Sequence, residues 1–135
     1  MRFTRVTIIR TQEPRTQNIN ELLQWFGGTL GLFNLRDKDR SCFRIFIVLL
    51  NNLKQNISGI SSDDIANKTG LSRGTVIHHL NRLMETGIVD VDHNRYFLKV
   101  DSLEELVEVV RGDVNKAFDS LADIGKDIDN ILGLK

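Results

Sequence analysis

The chain has 135 residues, 18 Lys/Arg against 18 Asp/Glu, 41% hydrophobic and 27% charged residues, enough for one domain with a real core and an appended helix. Its longest apolar run, Ile45 to Leu50, falls short of the ~18 residues a membrane span needs; the arginine-spaced start lacks the cleavage site of a signal peptide. The single cysteine, Cys42, excludes an internal disulfide and fits a reducing cytoplasm.

Zero net charge conceals a polarity. Residues 1–60 hold nine Lys/Arg and four Asp/Glu, residues 61–100 five of each, and residues 101–135 four Lys/Arg and nine Asp/Glu. An acidic tail leaves room for a basic face elsewhere, so local pattern has to decide whether nucleic acid is a partner. The first segment, RFTRVTIIR over residues 2–10, is rich in β-branched residues and reads as a strand or extended arm that Pro14 ends. Asn18, with Glu21 three residues later, starts a helix through Ile19, Leu22, Leu23 and Phe26. Gly27, Gly28 and Gly31 predict a break or bend there, and Asn34 to Arg40 a polar loop. From Asp39 to Leu53 apolar residues fall on nearly every side, which predicts a central helix buried on several faces.

The segment SSDDIANKTGLSRGTVIHHLNRLMETG, Ser61 to Gly87, has the marks of two short helices around a tight turn. Ser61 and Asp64 form a capping box, with Asp63 also at the positive end of the helix dipole. Ile65 points inward, small Ala66 permits a close crossing, Gly70 reverses the chain and Leu71 plugs the turn. Ser72 caps the second helix, Val76, Leu80 and Leu83 form its buried stripe, and Gly87 ends it. Its other face carries Arg73, Thr75, His78, His79 and Arg82, side chains that reach phosphates and base edges. Gly74 lets a phosphate approach the first-turn N–H groups. A plain helical hairpin with a solvated face is the competing reading. Next, the runs Ile88–Val91 and Tyr96–Val100 flank a polar tip, Asp92 to Arg95, and predict a β-hairpin wing.

After Asp101 and Ser102, apolar residues alternate spacings of four and three: Leu103, Val107, Val110, Val114, Ala117, Leu121, Ile124, Ile128 and Ile131. About four such heptads predict a coiled-coil seam, widened by Leu106 and Phe118, with bends possible at Gly112 and Gly125. At ~1.5 Å per residue the helix would exceed 40 Å, longer than a small domain can cover, so a two-fold homodimer interface is expected in preference to packing on its own domain. The fold class expected is thus mainly α with a small β-hairpin wing. It divides into residues 1–38 (arm and helix), 39–100 (winged helix-turn-helix) and 101–135 (dimerisation helix).

Residues Ile60 to Val100 resemble the winged-helix domain of the ArsR and MarR groups of transcriptional regulators. LSRGTVIHHLNRLMETGIV is similar to the ArsR-type recognition helix, with its paired histidines, leucine, and glycine before the wing. The likeness covers about 60 residues with the preceding helix; residues 1–38 match no known pattern. It implies a homodimer that places one recognition helix per subunit in the major groove. Ser72, Arg73, Thr75, His78 and His79 then face DNA, and Arg95 is the wing contact. Double-stranded DNA with a pseudo-palindromic site is the expected partner, with grooves ~34 Å apart. The chain departs from metal-sensing ArsR members: Cys42 stands alone, the last helix has no histidine, and adjacent His78 and His79 diverge by about 100°. No metal or cofactor is expected. Nor does the sequence hold a phosphate-cradling glycine motif or a nucleophile with a base, so no enzymatic activity is expected. A ligand, if one exists, would bind between the last helix and the body. The alternative function is a winged-helix protein-interaction module without DNA binding.

Overall fold

A computed structural model describes residues 12–34 and 40–134; the predicted arm over residues 2–10 and most of the predicted 34–40 loop lie outside them. Five helices and one hairpin follow in the order α1 (Ile19–Thr29), α2 (Ser41–Lys54), α3 (Ser62–Thr69), α4 (Arg73–Thr86), β1 (Val89–Asp92), β2 (Arg95–Leu98) and α5 (Leu103–Leu132). This is the expected mainly α architecture with a two-stranded wing. No helix among the described residues is long and apolar enough to cross a membrane.

The core forms around α2. Ile45, Phe46 and Leu49 are fully buried and share one cluster with Ile65 of α3, Val76, Leu80 and Leu83 of α4, Val89 and Leu98 of the hairpin, and Leu106 of α5. Each side chain of this class contributes roughly 1.5–3 kcal/mol on burial, so these contacts fix how α3 and α4 stand on α2.

Most helix starts follow one piece of chemistry. The side chains of Asn18, Ser61, Ser72 and Ser102 accept the backbone N–H of Glu21, Asp64, Thr75 and Glu105 at 3.0–3.1 Å, which satisfies donors the helix leaves unpaired. Only α2 departs: Arg40 precedes it in a left-handed conformation with no side-chain cap.

Helix α1 runs through Gly27 and Gly28 and ends at Thr29, with a turn at Gly31, φ 74°, so the expected break falls at the end of the glycine-rich stretch. Gly27 serves packing: a Cβ on it would overlap the Phe33 ring, which lies edge-on to Phe43 at 5.5 Å. Helix α5 is continuous through Gly112 and Gly125. Its two halves differ in surroundings. Leu106 and Val110 are buried in the core, with Leu103 and Val114 packed against it, whereas Phe118, Leu121, Ile124, Ile128 and Ile131 are exposed.

Candidate nucleic-acid interface

Helix α3 ends at Gly70 (φ 72°), and α4 restarts after two further residues. Three contacts hold this corner. The Thr69 hydroxyl donates to the Ile65 carbonyl at 2.8 Å and accepts the Leu71 N–H at 3.3 Å. The Arg44 guanidinium, from α2, donates to the Thr69 carbonyl. The last turn of α3 is therefore tied to the central helix, and the angle between α3 and α4 is set from beneath. Sequence reading had no signal for Arg44, because its partner lies 25 residues away.

Helix α4 turns Val76, Leu80 and Leu83 inward and presents Arg73, Gly74, His78, Asn81 and Arg82 to solvent. Thr75 and His79 are half-buried along the edges of that face. The Ser72 hydroxyl donates to the Thr75 hydroxyl at 2.8 Å while accepting its N–H, so both side chains organise the first turn. His78 and His79 meet edge-on, with centroids 5.2 Å apart. Among the described residues no three His, Cys, Asp or Glu stand together as a metal site. Glu85, one turn beyond Arg82, closes the exposed stripe with an acid, so the polar contact surface belongs to the first three turns of α4.

Gly74 stands out within that surface. Its φ lies outside the left-handed range, and a Cβ built on it meets nothing within 4 Å. Among the described residues no neighbouring atom requires a glycine there, although glycine costs up to about 1 kcal/mol against alanine in a helix. Its absent side chain leaves the N–H groups of Arg73 and Gly74 open to an approaching group, while that of Thr75 is held by Ser72.

Several cations are already engaged. Arg73 Nε lies 3.5 Å from Asp63 of α3, Lys99 lies 3.9 Å from Asp90, and Arg95 donates to the Gly59 carbonyl at 3.3 Å. The wing pairs Val89 with Leu98 through Asp92 with Arg95, closed by His93 and Asn94, both at positive φ. A two-residue turn of that kind matches the strand twist. A further bridge went unread in the sequence: Ile60 exchanges two backbone hydrogen bonds with Tyr96, at 2.8 and 3.0 Å, and so ties the entry to α3 into the wing. Arg95 is held at that seam, at the root of the hairpin turn.

The nine expected dimerisation positions divide. Leu103, Val110 and Val114 pack on the protomer's own core and Val107 is half-buried, while Ala117, Leu121, Ile124, Ile128 and Ile131 face solvent. No curated protein and no solved structure matches the chain. Residues 49–90, from the end of α2 into β1, match the family model of winged helix-turn-helix DNA-binding domains, and the fold built on them is that of a winged helix.

Proposed function

We propose that the chain is a dimeric, sequence-specific double-stranded DNA-binding protein that regulates transcription, of the ArsR/MarR kind without a metal site. The observation that carries this reading is the outer face of α4: a glycine open on its outer side, in a first turn capped by Ser72, followed by exposed His78, Asn81 and Arg82. Ser72, Arg73, Gly74, Thr75, His78, His79 and Arg82 supply phosphate and base-edge contacts. Arg95 supports the wing through one bond to Gly59 and keeps further guanidinium donors for the DNA backbone. The exposed half of α5 joins two copies, so that two α4 helices address half-sites one helical turn, or a multiple of it, apart.

Gel-shift titration against duplexes from the gene's own upstream region, at two salt concentrations, with mass by light scattering, tests the proposal. A dimer that binds one duplex preferentially, with affinity falling steeply with salt, is expected. A folded dimer that binds no duplex at low salt would overturn it. The alternative, a protein-interaction module, draws support from the engagement of Arg73, Arg95 and Lys99 within the domain; it predicts that outcome.

A further inference from the structure

The exposed half of α5 carries a directional pattern. Place Val107, Val114, Leu121 and Ile128 at heptad position a and Val110, Ala117, Ile124 and Ile131 at d. One flank (e) then reads Phe118, Gly125, Leu132, and the other (g) reads Asp113, Ser120, Asp127. Phe118 is 63% exposed and Ile131 83%. Leu121, Ile124 and Ile128 between them are about half exposed or more, so the stripe is one contiguous apolar face of the kind that marks an interaction site.

We infer that this face is covered by the same face of a second copy running antiparallel, the two helices crossing near Ala122 with each Phe118 seated over the partner's Gly125. The inference rests on the dimer reading above and adds its orientation. Parallel pairing sets each e flank against the other chain's g flank, which would press Asp127 onto Leu132 in both copies and strip that carboxylate of water against apolar carbon. Antiparallel pairing sets e against e and g against g. Phe118 then lies over Gly125, whose outer side is open space with no side chain to meet the ring. Ser120 meets Asp127, and Leu132 lies along the aliphatic stem of Arg111, whose head pairs with Glu108 at 3.4 Å. A seam without a single polar a or d residue from Ala117 onward sets no register by itself, so the Phe118–Gly125 fit is what selects it. The two bodies, attached near residue 108, then stand about 40 Å apart along the axis, between them a shared pair of helices.

Two measurements on the full chain test this. On a Cys42→Ala background, spin labels placed singly at Asn115, Ala122 and Asp129 report distances between copies. Antiparallel pairing gives a minimum at Ala122 and longer distances on both sides, with about 3 Å of axial offset added per residue; parallel pairing gives one distance at all three. Gly125→Leu, which favours the helix, is expected to weaken dimerisation at least tenfold in sedimentation, and Phe118→Ala in the same chain to restore it. A dimer with equal distances, or one that Gly125→Leu tightens, overturns the antiparallel arrangement and leaves the dimer standing. A folded monomer at 100-fold the concentration used for DNA binding overturns both.

Discussion

Replacing Gly74 with alanine should separate stability from binding in opposite directions. The side of α4 at Gly74 is open, with nothing within 4 Å of a built Cβ, and its backbone is helical. Alanine therefore adds no clash and removes conformational freedom from the unfolded chain, which contributes about 0.4–1 kcal/mol where the new residue fits. A domain of this size should melt some 2–6 °C higher. The same methyl stands where a phosphate oxygen would accept the first-turn N–H groups. Displacing one hydrogen bond to a charged acceptor costs about 1.5–3 kcal/mol, or roughly 10- to 150-fold in affinity. Because no cation is lost, the slope of log affinity against log salt should stay as in the parent protein. Thermal unfolding by circular dichroism and fluorescence anisotropy on a labelled duplex give the three numbers. A variant that melts higher and binds DNA with unchanged affinity would refute the placement of α4 against the backbone.

Four further substitutions probe the same construction. Arg73→Ala should weaken binding to all duplexes and lower the salt slope by about 0.9 if the guanidinium holds phosphate, or relax selectivity at one base pair by about 1–3 kcal/mol if it reads a base; Asp63→Asn, which releases Arg73, should tighten binding, and anisotropy over a salt series decides. Ser72→Ala removes the cap of α4 and should cost about 1 kcal/mol in urea unfolding, within the usual range of roughly 0.5–2. Gly27→Ala forces a methyl into the ring of Phe33, which is 5% exposed and cannot withdraw; a loss of about 1–3 kcal/mol is expected by denaturant titration, against a gain if α1 could bend away.

The features that sequence reading recovered are local ones. A capping side chain and the N–H it accepts are three residues apart, so Asn18, Ser61, Ser72 and Ser102 could be read directly, as could the left-handed glycines at 70 and 87. The inward stripe Val76, Leu80, Leu83 repeats within one helix and was equally plain. What escaped depends on partners distant in the chain. The Ile60–Tyr96 bridge and the Arg44–Thr69 bond join residues 36 and 25 apart. Gly27 looks like a helix breaker until the ring of Phe33 is placed over it, where packing outweighs its weak propensity. The heptads of α5 identify an apolar seam but not its neighbour. Val110 and Ile131 occupy the same heptad position, yet one lies against its own core and the other in solvent.

The charge balance of residues 61–100 bears on why an exposed seam would matter to a reading head. With Arg73 on Asp63, Lys99 on Asp90 and Arg95 on Gly59, each of these cations is already shared with an acceptor inside the domain. The two neighbouring carboxylates offset part of the positive charge that releases counterions from DNA. A single head should accordingly bind weakly, near the roughly 10⁻⁴–10⁻⁶ M of sequence-independent contacts. Tethering a second head changes that arithmetic without adding any contact to the first. At an effective concentration in the millimolar range, the second binding event is intramolecular, and overall affinity rises by about 10²–10⁴. Sequence preference benefits as well, because a mismatch in either half-site is then felt by the pair. On this reasoning, Ile124→Asp in the exposed seam, outside the core and on a different helix from the proposed DNA contacts of α4, should abolish dimers in sedimentation. It should lower affinity for a two-half-site duplex by at least 100-fold while leaving binding to a single half-site unchanged. Equal losses on both duplexes would show that α5 acts on the fold of the head and not on the coupling of two.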